Sequence, residues 1–214
     1  MSENTSMRPW LIFGAGKGIG RHLVNIALEQ NRPVTALIRN EEQAAILSSI
    51  GVNVIQGDAC DSRSIEKVIE YAGKNPIVFS TIGGGNSDHL GNMAIIDALE
   101  KAQISRMLLV TSIGCGDSWH TLSPRAKSLF GQSARLKSLA ESYLQTSRLD
   151  FTIIRPGGLT DQAGTGHCQR YQGEVHGMVS RKDVAQQLNQ MSEDKGTYSQ
   201  IYALVDPELK PNWN

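Results

Sequence analysis

Residues 11–23, "LIFGAGKGIGRHL", carry an apolar run directly into a loop that has a glycine at every second position. The four glycines are Gly14, Gly16, Gly18 and Gly20, and the apolar pattern of a helix follows them. A loop so rich in glycine between a strand and a helix either makes a tight turn or lets a ligand approach the main chain. The rest of the sequence decides between these two interpretations.

Short apolar runs alternate with helical patterns along almost the whole chain. Strands are expected at 10–13, 34–39, 52–58, 76–82, 106–112 and 151–156, and helices at 20–30, 41–50, 61–72, 92–102 and 124–147. The strands are apolar on both faces and helices separate them. The pattern therefore predicts an α/β fold, a doubly wound, Rossmann-type parallel sheet with helices on both faces.

The sequence indicates a single domain over 9–214, preceded by a flexible N-terminus over 1–8. A small C-terminal region on the substrate side is expected to hold a helix within 175–191 and an edge strand at 200–205. The segment "SRKD" (180–183) predicts a capping box, with Ser180 as the cap and Asp183 reaching back. We assign that segment no chemistry.

In this setting the glycine loop predicts a dinucleotide site. Its G-x-x-x-G-x-G pattern lies on the first strand–helix turn, where the N-terminus of the helix offers unpaired N–H groups to a pyrophosphate. Lys17 and Ile19, which lie between glycines, are included in the predicted site. The lysine and Ser/Thr of a nucleoside triphosphate loop do not follow it, which favours a dinucleotide.

The end of the second strand indicates which dinucleotide is bound. An acidic residue there would bind the ribose 2′-OH of NAD, whereas an arginine accommodates the 2′-phosphate of NADP. The strand ends "ALIRN", which places Arg39 at this position. NADP(H) is therefore the expected cofactor, and a solvated surface arginine is the alternative.

Composition narrows the class of partner. The chain has 214 residues, 40% of them hydrophobic, and a formal net charge of zero, which gives no global electrostatic reason to bind nucleic acid or a membrane. The apolar runs are too short to span a bilayer. Three scattered cysteines and five histidines without ligand spacing predict neither a disulfide framework nor a metal site. We expect a cytoplasmic protein, monomeric or homodimeric, that acts on a small molecule.

Seven segments resemble a known family in order and spacing: "FGAGKGIG", "ALIRN", "GDACD", "VTSIG", "KSLAESYL", "FTIIRPGGL" and "VSRKDVA". The chain resembles the atypical branch of the short-chain dehydrogenase/reductase superfamily, namely its NmrA-like and biliverdin reductase B-like (flavin reductase) proteins. The resemblance implies that Asp58 and Ala59 flank the adenine ring. It also implies that Thr81, Ile82 and Gly83 line the cofactor ribose, and that Ser112, Pro156 and Gly157 lie near the nicotinamide.

Some of these residues can also be interpreted from the sequence itself. Asp58 and Ser112 end strands, at the rim where doubly wound sheets bind ligands. Asp58 is alternatively a cap of the next helix, although Asp61 is better placed for that role. Gly157 and Gly158 leave space for a flat ring, or they simply form a turn.

The chain departs from the superfamily in its Tyr-x-x-x-Lys pair. Lys137 is present, but Ser133 stands where the tyrosine is expected, and Tyr143 lies on another helical face. Reduction of an isolated carbonyl needs a placed proton donor, because charge develops on one oxygen. A conjugated acceptor delocalises that charge. The departure therefore argues against ordinary alcohol or ketone chemistry and leaves Ser112 and Lys137 as the predicted catalytic residues.

Three further residues are expected on the substrate side. Cys115 lies just past Ser112 and is expected to line the pocket, although not as a nucleophile. Arg125 and Lys127 begin a basic run, from 118 to 140, that has no acidic residue before its end. This run is either a solvated helix face or the side from which an anionic substrate enters.

The sequence therefore predicts an NADPH-dependent reductase of a planar conjugated acceptor: a heme-derived linear tetrapyrrole of the biliverdin type, a flavin, or both. The alternative from another class is a non-catalytic NADP(H)-binding sensor or assembly protein of the NmrA-like type. A ketone- or sugar-nucleotide-modifying enzyme is disfavoured by the missing tyrosine.

Overall fold

The computed structural model describes residues 7–210, except for the side chains of residues 85 and 86. Its strands are β1 (Trp10–Phe13), β2 (Val34–Ile38), β3 (Asn53–Gln56), β4 (Ile77–Ser80), β5 (Arg106–Val110), β6 (Asp150–Pro156), β7 (Gly158–Thr160), β8 (Gln169–Tyr171), β9 (Met178–Ser180) and β10 (Gln200–Val205). Its α-helices are α1 (Gly18–Glu29), α2 (Glu41–Ser49), α3 (Ser62–Ala72), α4 (Leu90–Lys101), α5 (Pro124–Gln145) and α6 (Arg181–Met191). Short 3₁₀ helices cover Gly85–Asp88, Gly116–Thr121 and Lys195–Thr197.

The main sheet has eight strands in the order β3-β2-β1-β4-β5-β6-β10-β8. All neighbours pair in parallel except β10 and β8. After β3 the chain crosses over β1 and continues with β4 on its other side, so the order of the strands reverses between β1 and β4. The predicted Rossmann-type doubly wound sheet is confirmed, and this reversal is the place where such sheets bind ligands.

The strand expected at 200–205 is present as β10, but its expected place at the edge of the sheet was wrong. β10 pairs in parallel with β6, where Tyr202 faces Ile154, and antiparallel with β8, where Leu204 faces Arg170. The edge is therefore β8, which has only three residues and lies in a polar, glycine-rich stretch without an apolar pattern. β7 and β9 form a separate two-stranded parallel sheet.

The core has two layers, one on each face of the sheet. Alternate side chains of β1 point to opposite faces, so Trp10 and Ile12 enter one layer and Leu11 and Phe13 the other. The first layer includes apolar residues of α1, α2 and α6, and the second includes those of α3, α4 and α5. Helices therefore cover both faces, as the apolar strands predict.

A buried arginine ties the end of α6 to the sheet. The Arg106 side chain has no exposed surface, and burial lowers the pKa of its guanidinium to about 10. The guanidinium carbon of Arg106 lies 4.4 Å from the centroid of the Tyr198 ring. The guanidinium donates to five oxygen acceptors, which are the carbonyls of Asp150, Met191 and Ser192 and the hydroxyls of Thr152 and Thr197.

The N-terminal segment 1–8 is described only from residue 7, so most of the predicted flexible end lies outside the described residues. Within it, Arg8 donates to both the carbonyl and the side chain of Asn75, and its own carbonyl accepts from Arg32. Between residues 7 and 210, no helix is both long enough and apolar enough to cross a membrane.

Candidate functional site

The predicted cofactor residues share one edge of the sheet. Because β1 to β6 are parallel, their carboxyl ends meet there, on either side of the reversal between β1 and β4. The residues that follow these strand ends are Gly14, Arg39, Asp58, Ala59, Thr81, Ile82, Gly83, Ser112, Gly157 and Gly158. The fold therefore brings to one rim residues that are widely separated in the chain.

The glycine loop is closed by contacts between main-chain atoms. Gly14 has a φ of +90°, and a Cβ there would lie 2.6 Å from Thr81 Oγ1 and 2.9 Å from the Thr81 carbonyl carbon. A Cβ on Gly20 would lie 2.2 Å from the Gly14 oxygen. Thr81 Oγ1 lies 3.2 Å from the carbonyl oxygens of Phe13 and Gly14. Side chains at Gly14 and Gly20 would collide with Thr81 and with the loop itself, so these two glycines let the loop pack tightly. At Gly18 a Cβ would meet nothing closer than Arg181 Cδ at 3.4 Å, so the main chain is approachable there, as a dinucleotide requires.

Helices α1 and α2 supply the other side chains around this loop. Lys17 is the exposed N-cap residue of α1, and its side chain makes no capping hydrogen bond. Ile19 is buried beneath the loop in the first core layer. Gln43 of α2 lies over Gly16, because a Cβ on Gly16 would meet Gln43 Oε1 at 2.1 Å. Sequence reasoning missed Gln43, which has no motif of its own.

Arg39 and Asp58 face each other across the ends of β2 and β3. Arg39 Nη1 lies 3.5 Å from Asp58 Oδ2. Asp58 Oδ1 accepts from the Cys60 N–H at 2.8 Å, whereas α3 is capped by Asp61, which accepts from the Ser64 N–H. Asp58 is therefore not the helix cap, and its outer oxygen faces Arg39.

Ala59 and Ile82 meet beside helix α4. A Cβ on Gly91 would lie 3.2 Å from Ile82 Cδ1 and 3.6 Å from Ala59 Cβ. The two residues that the resemblance assigns to different parts of the cofactor thus both lie against α4 at Gly91.

Lys137 is held by a buried aspartate. Its Nζ lies 2.5 Å from Asp88 Oδ1, and Asp88 is 1% exposed. Ser133 Oγ donates to Asp88 Oδ2 at 3.1 Å, and the Gly84 N–H donates to Oδ1 at 3.0 Å. A Cβ on Gly83 would lie 2.9 Å from Lys137 Nζ. The position expected for tyrosine thus carries a serine that is bound to the same carboxylate as the lysine.

The network continues into the sheet through Asn92. Its Nδ2 donates to the Asp88 carbonyl, and its Oδ1 accepts from Ser80 Oγ at 2.6 Å. Sequence reasoning did not select Asp88, because "GGGNSDHL" (83–90) resembles any polar loop. Tyr143 plays no part in this network, since its hydroxyl donates to Asp97.

Ser112 and Cys115 follow β5 but differ in exposure. Ser112 is half-buried, and its Oγ donates to the Ile113 carbonyl at 2.8 Å. Cys115 is fully buried against Leu122 and Ala134, and burial raises the pKa of its thiol to about 12. The expectation that Cys115 lines the pocket was wrong, because the 3₁₀ helix Gly116–Thr121 folds the chain back over it.

A second buried ion pair fixes the segment after β5. Arg155 donates to both carboxylate oxygens of Glu141, at 3.0 and 2.7 Å, and both side chains are almost fully buried. Arg155 also donates to Asp117 at 2.7 Å, and the Thr111 hydroxyl donates to Glu141. This network joins α5, β6 and the Ser112 segment, and no local pattern in the sequence predicts it.

Gly157 and Gly158 have a packing role that the sequence did not predict. A Cβ on Gly157 would lie 2.4 Å from the Gly177 oxygen, and one on Gly158 would lie 2.5 Å from Met178 Sδ. The Gly158 N–H donates to that same Gly177 oxygen. These glycines therefore allow β7 to pair with β9. Pro156 is buried at the end of β6, and its carbonyl accepts from Ile113.

Two residues of the basic run on α5, Lys127 and Arg135, lie beside an indole ring. Lys127 Nζ lies 5.4 Å and Arg135 Cζ 5.1 Å from the centroid of Trp119. Gly131, between them on the helix, makes room for the ring, since a Cβ there would lie 3.0 Å from Trp119 Cη2. Arg125 is exposed in the first turn.

The fold and the glycine loop together define a dinucleotide-binding Rossmann protein. Residues 14–195 match the model of a family described as NAD(P)H-binding, and the chain belongs to that family. A solved structure described as ChuY, an anaerobilin reductase from Escherichia coli O157:H7, is 50% identical, with a TM-score of 0.91 over 95% of this chain and 99% of that one.

Two curated relatives are more distant. The first, named as an uncharacterized sugar epimerase, YhfK of Bacillus subtilis, is 29% identical over 91% of this chain and 92% of its own length. The second, the photosystem II assembly factor Ycf39 of Synechocystis, is 25% identical over 71% of this chain and 45% of its own. Family membership and the likeness to a reductase support an NAD(P)H-using oxidoreductase.

Proposed function

We propose that the protein is an NADPH-dependent reductase of an anionic linear tetrapyrrole, with flavins as further planar acceptors. The observation that carries this proposal is the environment of Ser133. The position that would hold a proton-donating tyrosine holds a serine whose hydroxyl is engaged by Asp88. The 50% likeness to a protein described as an anaerobilin reductase supports the tetrapyrrole class.

When bound, NADPH supplies the hydride. Lys137 and Asp88 hold the segment at Gly83 and Gly84, which lies against the ribose in our assignment. Ser112, fixed by the Arg155–Glu141 network through the neighbouring Thr111, orients the nicotinamide or the acceptor. The proton comes from solvent, because a conjugated acceptor spreads the incoming charge and needs no dedicated acid.

Lys127 and Arg135 of α5 receive the carboxylates of the substrate. Lys127 and Arg135 are two helical turns apart, about 12 Å along the axis. Trp119 holds both cations through contacts with its ring, so less side-chain entropy is lost when a carboxylate binds. The two propionates of a linear tetrapyrrole offer two carboxylates to this face.

A hydrogen bond links two segments, one after β5 and one after β8, that we place beside the acceptor. The Thr121 hydroxyl, at the end of the 3₁₀ helix after β5, donates to Glu174 at 3.2 Å. Glu174 lies in the connection between β8 and β9. Positioning of the acceptor against the cofactor is the contribution to catalysis that we assign to this arrangement, and solvent still reaches the acceptor to supply the proton.

The test follows NADPH absorbance at 340 nm against biliverdin-type tetrapyrroles, flavin mononucleotide, quinones and simple ketones. We expect turnover with tetrapyrroles and none with simple ketones. The Gly16→Val variant, which should not bind cofactor, controls for non-enzymatic reduction. Ketone turnover would overturn the proposal. NADPH binding without turnover of any acceptor would also overturn it and would favour the non-catalytic sensor or assembly protein.

A further inference from the structure

Arg181, the first residue of α6, lies against the glycine loop. A Cβ on Gly18 would lie 3.4 Å from Arg181 Cδ and 3.7 Å from its Nε. Gly18 is also the first residue of α1, so the Arg181 side chain lies beside the N-terminal end of that helix. The sequence assigned 180–183 only a capping role. That cap is present, because the Asp183 N–H donates to Ser180 Oγ at 2.9 Å.

The surroundings of Arg181 carry an excess of positive charge. Lys182 follows it, and the pKa of His22 on α1 is lowered by burial first, then by Lys182 and Arg181, against an opposing effect of Asp161. The N-terminal end of α1 adds a partial positive charge. A guanidinium in such a place is unfavourable unless an anion accompanies it.

Asp161 is the anion that accompanies Arg181 in the structure. Its Oδ1 lies 3.0 Å from Arg181 Nη1, with Asp161 83% and Arg181 27% exposed. An ion pair with so exposed a partner contributes little, at most about 1 kcal/mol. It is therefore easily exchanged for a stronger anion.

We propose that Arg181 binds the diphosphate of the bound dinucleotide, and that Asp161 holds the same guanidinium until the cofactor arrives. A diphosphate suits this group, since a guanidinium binds phosphate oxygens in a bidentate manner and with charge assistance. Release of Asp161, which directly follows β7, then frees the beginning of the segment that leads to β8. The inference rests on membership of the NAD(P)H-binding family and not on the proposed tetrapyrrole reduction.

The test compares ligands that do and do not contain the diphosphate. NADPH, NADH and adenosine 2′-monophosphate are titrated into the parent protein and into Arg181→Gln and Asp161→Asn. We expect Arg181→Gln to weaken NADPH and NADH by the same factor, about tenfold, and to leave adenosine 2′-monophosphate unchanged. Asp161→Asn should tighten NADPH by roughly threefold, the size expected for loss of an exposed competing pair.

Arg148 and Glu100 provide the matched control, since they also form an exposed ion pair, at 3.5 Å, and Arg148 lies just before β6 at the opposite edge of the sheet. Arg148→Gln and Glu100→Gln should leave all three affinities unchanged. A merely structural Arg181 predicts that all three ligands weaken together, or that none does, and either result overturns the proposal. Weaker NADPH binding by Asp161→Asn overturns it as well, and that variant keeps the test valid if Arg181→Gln is unstable.

Discussion

Arg39 Nη1 and Asp58 Oδ2 lie 3.5 Å apart, in an ion pair that bridges the ends of β2 and β3 while Arg39 remains 77% and Asp58 39% exposed. An exposed pair of this length contributes little to stability. Arg39 therefore keeps its full charge available to a second anion, and Asp58 keeps the guanidinium near the place where the ribose is expected.

Arg39→Ala should reduce the affinity for NADPH by about tenfold or more and leave the affinity for NADH nearly unchanged. The reason is the loss of charge-assisted hydrogen bonds to the 2′-phosphate. Fluorescence titration with the two cofactors measures both constants. Arg63→Ala, an exposed arginine in the first turn of α3, is the control. Equal affinities for NADPH and NADH in the parent protein would contradict the assignment.

Gly16→Val should abolish cofactor binding and leave the fold intact. Its φ is not positive, and the nearest obstacle to a side chain is the flexible end of Gln43, which can move away. Gly18 is less suitable, because its φ of +57° strains any other residue. Circular dichroism and NADPH fluorescence are measured together. Gly173→Val is the control: a Cβ there meets open space, so this variant shows how a new valine by itself changes the circular dichroism and NADPH binding. If a folded Gly16→Val variant binds NADPH normally, the glycine loop is only a tight turn and not part of the cofactor site.

The sequence predicted the fold well where the strands are apolar. β1, β2, β4, β5 and β6 are almost entirely buried, so hydrophobicity alone reveals them. It failed at β8, whose three residues Gln169–Tyr171 are polar and gain their partner only through β10. Such an element is defined by tertiary pairing and not by a local pattern.

The candidate site likewise has residues that a local pattern predicts and residues that only tertiary packing brings in. Positions next to strand ends follow from topology, so the sequence already places Arg39, Asp58 and Ser112 at the rim of the sheet, and their roles in binding stay predictions. Asp88 was not, because its role depends on Lys137, which is distant in the chain and reaches it only through packing of α5. Cys115 was misplaced because nothing local shows that the next turn covers it.

Ser112→Ala should lower the rate of turnover by about 100-fold or less, the range for loss of one positioned hydrogen bond. NADPH binding should stay close to that of the parent. Steady-state kinetics with the best acceptor and a cofactor titration check the two statements separately. Complete loss of turnover with binding retained would identify Ser112 as an essential acid.

Lys137→Ala should destabilise the protein by about 3 kcal/mol, because it leaves the buried Asp88 carboxylate without its cation. The double variant Lys137→Ala with Asp88→Asn should recover much of that loss, since no buried charge then remains. Urea unfolding measures both. A single variant as stable as the parent would show that the pair does not hold the segment at Gly83.

Arg125→Ala and Lys127→Ala should raise the Michaelis constant for anionic acceptors several-fold and leave the rate at saturation nearly unchanged. Exposed pairs contribute at most about 1 kcal/mol each, and salt screens them. The effect should therefore fade as sodium chloride is added. Lys67→Ala on α3 is the control for a lost surface charge. If both variants have the same kinetic constants as the parent protein at every salt concentration, the basic run is only a solvated helix face.

The placement of β10 between β6 and β8 has a consequence for synthesis on the ribosome. β8 has no neighbour in the main sheet other than β10, which is made after it. Three of the oxygen atoms that accept hydrogen bonds from Arg106 also belong to late residues, within 191–197. The glycine loop and the first six strands, in contrast, are made much earlier, whereas α6, which packs in the same core layer as α1 and brings Arg181 against Gly18, is made only shortly before β10. We expect a nascent chain to form β1 to β6 first and to complete both the α6 side of the glycine loop and the β8 edge only when translation has passed β10.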